Sequence, residues 1–207
     1  MKNWISIVLL FVLEACTSGF STQSDFYKWW NNPDNGLVKS KTIGDFRFVL
    51  KYLPPEYQAL NEIGETKFST ITFDSLRKAY SNNRSFLLTI EPAVEKDVDV
   101  LFKGIISYEE YKERILQLNF LPADFIALYA DGVKYKPVLS TMENLYNLSP
   151  KKSLYLVFSP EKSNDVLTHA EELVFEFSDQ IFMTGINKFV FNKSDLTNIP
   201  EFTYLKK

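Results

Sequence analysis

Apolar and polar residues alternate along several stretches of the chain, and this pattern predicts β-strands. In the first stretch, apolar residues alternate with charged ones: Phe46, Phe48, Leu50 and Tyr52 against Asp45, Arg47 and Lys51. A period of two is expected of a strand that buries one face. The same period recurs at residues 86–90, 98–102, 125–129, 133–137, 154–158, 173–177 and 189–191. Together these stretches predict seven to nine strands.

Two segments show helical signals instead. Ser107 and Glu110 have the spacing of a capping box, in which each side chain satisfies a free backbone N–H at the start of a helix. The apolar stripe that follows has helical spacing and consists of Tyr108, Tyr111, Ile115 and Leu118. A shorter helix is predicted to begin at Pro55, because proline is favoured at the first helical position. For residues 66–80 the pattern leaves strand and helix both open.

These elements predict a mainly β fold, an antiparallel β-sandwich with one or two short helices, and an immunoglobulin-like topology is the commonest such solution. We expect residues 37–207 to form this single domain. Asp131-Gly132 lies between two alternating stretches and predicts a hairpin turn, since both residues tolerate positive φ. The segments DGVKYKP, LYLVFSP and LVFEFSD, within residues 131–191, loosely resemble small extracytoplasmic immunoglobulin-like lipoproteins of unknown function. This resemblance implies the fold and no functional site.

The N-terminus has the pattern of an export signal. Lys2 is followed by an apolar stretch of ten residues, Trp4 to Leu13. As a helix this stretch would be about 15 Å long, roughly half the thickness of a bilayer core, so it is too short to span a membrane. Its length is typical of the hydrophobic region of a signal peptide, which we predict to be residues 1–15.

The residues around the predicted cleavage site resemble the lipobox of bacterial lipoproteins. Leu13, Ala15 and Cys16 match the family pattern, whereas Glu14 departs from it, because that position is usually small or apolar. The resemblance implies cleavage before Cys16, a diacylglycerol on its thiol, and acylation of the new N-terminus, for example by palmitate. The alternative is an ordinary secretory peptide that leaves Cys16 as a free thiol, which an oxidising compartment disfavours.

Residues 16–36 are rich in Ser, Thr, Asn, Asp and Gly, so we predict a lipidated tether between the membrane and the domain. No run of acidic residues follows Cys16, and such a run is common in lipoproteins that reach the cell surface. The expected location is therefore the cell envelope, with a lipid anchor in the outer membrane and the domain facing the periplasm.

Composition narrows the function classes. The chain has 23 basic and 26 acidic residues and a net charge of −3, which gives no electrostatic basis for nucleic-acid binding. Cys16 is the single cysteine and His169 the single histidine, so neither a Cys/His catalytic pair nor a zinc site is expected. The sequence predicts no cofactor.

Aromatic residues are the main candidates for binding. Tyr27, Trp29 and Trp30 follow the tether and have three interpretations: a platform for a sugar or protein partner, residues that rest at the membrane interface, or packing residues of the first ordered segment. Tyr52 and Tyr57 flank a Pro-Pro pair that either presents a recognition edge or simply ends the strand and starts the helix.

Two functions follow from these features, and a third possibility is a purely structural envelope protein, which would have no concave site. The leading hypothesis is a non-enzymatic binding or assembly module of the envelope, whose partner is an envelope protein or a glycan. The alternative is a hydrolase that uses carboxylates alone to cleave glycans, which requires two acidic side chains in one aromatic groove.

The anchor can be tested by the substitution Cys16→Ala. We expect the variant to leave the membrane fraction and to lose labelling by a clickable fatty acid, because two or more acyl chains are needed for stable anchoring. The wild-type chain is the control. An unchanged distribution between fractions would contradict the lipid anchor.

Overall fold

The computed structural model describes residues 19–20, 22–64, 69–94, 98–143 and 149–202. The strands are β1 (Val38–Ile43), β2 (Phe46–Leu53), β3 (Arg84–Pro92), β4 (Ile126–Ala130), β5 (Val133–Tyr135), β6 (Leu139–Met142), β7 (Lys152–Phe158), β8 (Glu172–Asp179) and β9 (Gly185–Asn192). The helices are α1 (Gln23–Asn31), α2 (Pro55–Ile63), α3 (Thr70–Tyr80), α4 (Tyr108–Phe120), α5 (Pro122–Phe125) and α6 (Lys193–Thr197).

The strands form two antiparallel sheets. The first sheet has the order β1-β2-β3-β7-β6, and the second has the order β5-β4-β8-β9. The expectation of antiparallel sheets accompanied by helices is therefore confirmed. The predicted share of helix was too low, since the described residues contain six α-helices rather than one or two, and helix and strand occupy similar shares of the chain.

Phenylalanine rings from both sheets meet in the core. Phe86 of β3 lies 5.4 Å from Phe175 of β8 and 5.5 Å from Phe191 of β9, measured between ring centroids. On the neighbouring strand β2, Phe48 lies 5.6 Å from Phe177 of β8. All five rings are fully buried. Tilted and edge-on aromatic pairs of this kind add to the stabilisation that comes from burying apolar area.

The predicted hairpin is present between β4 and β5. Ala130 pairs with Val133, and the two residues between them have the positive φ values that a tight turn of this type requires: 45° at Asp131 and 84° at Gly132. The Asp131 carboxylate also accepts hydrogen bonds from the backbone N–H groups of Glu171 and Glu172. The turn is thereby attached to the start of β8.

The predicted cap of α4 is partly formed. Ser107 Oγ accepts a hydrogen bond from the Glu110 N–H at 3.2 Å, as expected. The Glu110 carboxylate, however, accepts from the N–H of Ile106 rather than from that of Ser107. The helix start is therefore fixed by the same two side chains, with the return bond displaced by one residue.

The segment predicted as a tether contains a packed helix. Thr22 caps α1 by accepting a hydrogen bond from the Asp25 N–H, and Phe26 and Trp30, four residues apart, bury one face of the helix in the core. The prediction of a tether over residues 16–36 therefore does not hold for α1. Burial of Phe26 and Trp30 stabilises a packed helix, whereas a solvated tether would leave both rings in water.

Of two further segments, one had been left open by the sequence and the other was predicted wrongly. Residues 70–80, where strand and helix were both open, form α3, which buries Phe73. Residues 98–102 were predicted as a strand, but Val100–Phe102 form a 3₁₀ turn. Asp99 accepts a hydrogen bond from the Leu101 N–H, so a local side-chain cap replaces the pairing that a strand would need.

The ring contacts between the sheets predict which substitutions destabilise the fold. We expect Phe86→Ala to lower the free energy of unfolding by about 3–5 kcal/mol, because it opens a cavity among four other rings. The control Phe120→Ala removes a ring that is 74% exposed and should change stability by less than about 0.5 kcal/mol. Urea denaturation measures both, and equal effects would show that the ring contacts contribute little.

Candidate functional site

A cavity of about 460 Å³ lies between helices α2 and α3 and the outward face of the first sheet. Its volume is in the range of small-molecule sites. Nine residues line it: Leu53, Tyr57, Gln58, Asn61, Glu62, Tyr80, Leu87, Glu143 and Tyr155. We refer to it below as the tyrosine cavity.

The floor of the tyrosine cavity comes from the sheet. Leu87 of β3 and Tyr155 of β7 are directly opposite each other in the antiparallel register. Their sequence neighbours Leu88 and Leu154 point into the core and are fully buried. Because side chains alternate between the two faces of a strand, Leu87 and Tyr155 point outward.

The wall of the cavity comes from α2. Tyr57 and Asn61 are four residues apart, as are Gln58 and Glu62, so each pair lies on one side of the helix. Gln58 fixes the helix to the sheet: its amide oxygen accepts hydrogen bonds from Ser85 Oγ at 3.2 Å and from the Tyr155 hydroxyl at 3.0 Å. Its amide nitrogen donates to the Leu53 carbonyl, so this buried side chain is satisfied on both ends.

Two tyrosines of the cavity have raised pKa values. The Tyr80 hydroxyl donates a hydrogen bond to the Glu62 carboxylate, and this bond raises the pKa of Tyr80 to about 12. Burial, and then the neighbouring Tyr27, Glu143 and Tyr155, raise the pKa of Tyr57. Both hydroxyls are therefore neutral at physiological pH and are able to donate and accept hydrogen bonds.

Three polar groups of the cavity are available to a ligand. Within the described part of the chain, the Tyr57 hydroxyl, the Asn61 amide and the Glu143 carboxylate form no side-chain hydrogen bond or ion pair. Asn61 and Glu143 are exposed, and Tyr57 is partly exposed. Aromatic rings beside planar hydrogen-bonding groups suit a ligand that has both apolar faces and many hydroxyls.

The structure brings some of the predicted binding residues together. The Tyr57 ring packs on Trp30 with centroids 4.2 Å apart, and Tyr27 meets Tyr57 edge-on at 5.8 Å. Trp30 and Tyr52 are buried, and the Trp30 indole N–H donates to the Tyr52 carbonyl at 2.8 Å. Trp29 points elsewhere, towards Phe20. Of these residues, Tyr57 alone lines the tyrosine cavity.

Several residues of the cavity were not predicted. Tyr155 carried a signal in the sequence, since its position in β7 is out of phase with the buried Leu154 and Leu156. Tyr80 and Glu143 had no such signal, because their places depend on how α3 and the end of β6 approach the sheet. Cys16, the predicted lipidation site, lies outside the described residues.

The described ranges contain no group of three or more His, Cys, Asp or Glu side chains placed to hold a metal ion. None of their helices combines the length and apolar character needed to cross a bilayer. His169 is exposed, and its ring nitrogen lies 3.3 Å from the Thr168 hydroxyl, away from the tyrosine cavity.

No protein-family model and no curated protein matches the chain. Among solved structures, the chain is similar to a protein from Burkholderia pseudomallei K96243 that is described as a novel protein of unknown function. The two share 12% sequence identity, the match covers 86% of each chain, and the TM-score is 0.38. The chemistry of the cavity therefore follows from its own residues alone.

The Tyr80–Glu62 contact gives a prediction about titration. We expect Glu62→Gln to lower the pKa of Tyr80 from about 12 towards the ordinary value of 10.0, because the substitution weakens the hydrogen bond from the phenol and removes the negative charge of its acceptor. NMR titration of the labelled tyrosine rings measures this change. Tyr135 is the internal control: burial and its bond to Asp165 raise its pKa to about 12, and Glu62→Gln should leave that value unchanged.

Proposed function

We propose that the chain is a lipoprotein of the bacterial cell envelope that binds glycan without cleaving it. The anchoring part rests on the lipobox-like residues before Cys16, with the domain held at the periplasmic side of the outer membrane. The binding part rests on one observation, the tyrosine cavity and its uncommitted polar groups. An envelope protein is the other partner class, and the binding experiment below distinguishes the two.

We also propose an immunoglobulin-like β-sandwich as the architecture that carries the cavity. In immunoglobulin domains, strands B, E and D are neighbours in one sheet, and C, F and G are neighbours in the other. The order β3-β7-β6 in the first sheet and β5-β4-β8-β9 in the second is consistent with this arrangement, if β3 is strand B and β9 is strand G. The ring contacts between the sheets support the same interpretation.

Glycan is favoured because of the mixture of groups in the cavity. The rings of Tyr57 and Tyr155 offer flat apolar surface, while the Asn61 amide and the Glu143 carboxylate accept or donate hydrogen bonds beside them. A sugar has the same two properties, C–H faces and hydroxyl edges. A purely apolar ligand would leave the polar groups of the cavity desolvated and unpaired, at a cost in affinity.

Hydrolysis of the glycan is the second candidate, because Glu62 and Glu143 line the same aromatic cavity. A general acid of this chemistry is usually held protonated by an apolar, buried environment. Glu62 and Glu143 are both exposed, and Glu62 already accepts the Tyr80 hydrogen bond. Binding is therefore the better supported function.

Tyr57→Phe tests the proposed binding. The substitution keeps the ring on Trp30 and removes only the uncommitted hydroxyl. An array of defined oligosaccharides identifies the glycans that wild type binds. We expect the affinity of the variant for these glycans to be lower by up to about tenfold, the effect of one hydrogen bond. Calorimetry on the best array ligand gives the dissociation constants.

Tyr108→Phe is the matched control, because Tyr108 is 66% exposed on α4 and does not line the cavity. We expect this variant to bind glycan with the affinity of wild type. An array on which no glycan binds would contradict the proposal and favour a protein partner. Release of shortened glycan by the wild-type chain, lost in Glu143→Gln, would favour the hydrolase instead.

A further inference from the structure

The predicted anchor and the first packed residue of the domain are close together in sequence. Three residues, 17–19, separate Cys16 from Phe20. An extended chain advances by about 3.6 Å per residue at most, so the Cα atoms of Cys16 and Phe20 are no more than about 14 Å apart. This limit follows from covalent geometry and holds for every conformation of the connecting residues.

Phe20 is an integral part of the folded domain. Its side chain is buried, its backbone N–H donates a hydrogen bond to the Glu201 carbonyl at 2.8 Å, and it forms a parallel bridge with Phe202. The Phe20 ring also meets the ring of Phe26 of α1 edge-on at 5.4 Å. A lipid on Cys16 therefore holds the packed core directly, with no further tether after Phe20.

Three parts of the chain converge around Phe20. The Phe202 ring lies 5.3 Å from the ring of Phe20 and 5.2 Å from each of the rings of Phe26 and Phe73. Phe26 belongs to the first turn of α1, and Phe73 belongs to the first turn of α3. We call the surface formed by residues 20, 22–26, 69–73 and 199–202 the anchor end.

The anchor end is mostly uncharged. Residues 22–24 and 69–72 carry hydroxyl, amide or apolar side chains, and Ile71 is 84% exposed. The charged residues of this surface, Asp25 and Glu201, are acidic. Attraction to anionic lipid needs a basic surface, so charge does not bring this end to a membrane. Once an anchor holds it there, an exposed isoleucine among hydroxyl groups suits the boundary between headgroups and acyl chains.

The connection to Cys16 is short compared with the domain. A compact domain of about 180 residues has a radius of gyration of about 16 Å and is therefore about 40 Å across. The reach of about 14 Å between Cys16 and Phe20 is about a third of this diameter. The domain is therefore unable to turn its opposite end to the bilayer while the lipid remains inserted.

We propose that the anchor end lies against the bilayer in which the lipid of Cys16 is inserted, with Ile71 at the headgroup layer. This inference rests on the lipid anchor of the proposed function. The membrane itself is the partner of this surface, because a gap of at most about 14 Å is too narrow for another folded domain.

The tyrosine cavity then opens close to the membrane. Its residue Tyr57 packs on Tyr27 and Trp30 of α1. This helix has nine residues and is about 14 Å long. Together with the reach from Cys16, this length places the cavity within about 30 Å of the anchor. The glycan that it binds is therefore one that is present in the layer next to the membrane.

Short-range fluorescence quenching in vesicles tests this orientation. Cys16 is the only cysteine and carries the lipid, so a cysteine introduced elsewhere is the only thiol that a fluorophore can label. Ile71→Cys places the fluorophore at the anchor end. The matched control is Met183→Cys, because Met183 is also 84% exposed and lies in the connection between β8 and β9.

The connection that contains Met183 is far from the anchor end. The ring of the adjacent Phe182 lies 4.8 Å from that of Phe46, at the start of β2. Near the other end of β2, the Tyr52 carbonyl accepts the hydrogen bond from Trp30 of α1. The six residues of strand between these two contacts span about 20 Å.

The acylated variants are reconstituted in vesicles of phosphatidylethanolamine and phosphatidylglycerol that contain a lipid with a nitroxide quencher on its headgroup. We expect the fluorophore at residue 71 to lose most of its emission and the fluorophore at residue 183 to keep it. Inserting about twenty Gly and Ser residues between Ser18 and Gly19 lengthens the connection by about 25 Å on average. This insertion should abolish the difference between the two positions while acylation is retained.

The outcomes separate this inference from the lipid anchor. Protein from its own host with no acyl mass on Cys16 would overturn both. Acylated protein in which the two fluorophores are quenched equally would overturn the orientation and leave the anchor intact. Selective quenching at residue 71 that survives the insertion would also overturn the proposal, because the short connection would then not be its cause.

Discussion

The contact between phenylalanine rings of the two sheets is the constraint on which the other features depend. Because Phe48 and Phe86 point inward to reach Phe177 and Phe175, the alternation of the strands forces the intervening residues outward. The outward set contains Leu87 of β3, which forms part of the floor of the tyrosine cavity together with Tyr155 of β7. A shift of register by one residue would therefore destroy the core and the candidate site together.

The strands were predictable for the same reason. A buried face imposes a period of two that is visible in β2, β3, β7 and β8 without knowledge of their partners, and Asp131-Gly132 carries its turn chemistry locally. The predictions that were wrong concern elements that depend on contacts between residues distant in sequence or on a single capping side chain. Residues 23–31 have loop-like composition, yet Phe26 is buried in the core, and Asp99 turns an alternating stretch into a 3₁₀ turn.

The site was less predictable than the fold. Tyr57 was singled out from its place beside the two prolines, but its neighbours in the cavity come from α3, β3, β6 and β7, and their approach depends on long-range packing. The key contact is Gln58, which joins α2 to Ser85 and Tyr155, 27 and 97 residues away in sequence. No local pattern marks a buried glutamine as the residue that positions a wall of the site.

The outward faces of the two sheets differ in how far their polar groups are already paired. On the second sheet the outward polar groups satisfy one another: Glu176 accepts from the Tyr129 hydroxyl and pairs with Lys188, and Lys134 lies over the Tyr129 ring. A ligand there would have to displace existing partners. At the tyrosine cavity, on the outward side of the first sheet, the Asn61 amide and the Glu143 carboxylate have no such partners among the described residues, so a ligand gains their hydrogen bonds without breaking others. The difference between the two faces is therefore whether their polar side chains are already paired with one another or remain open to a ligand.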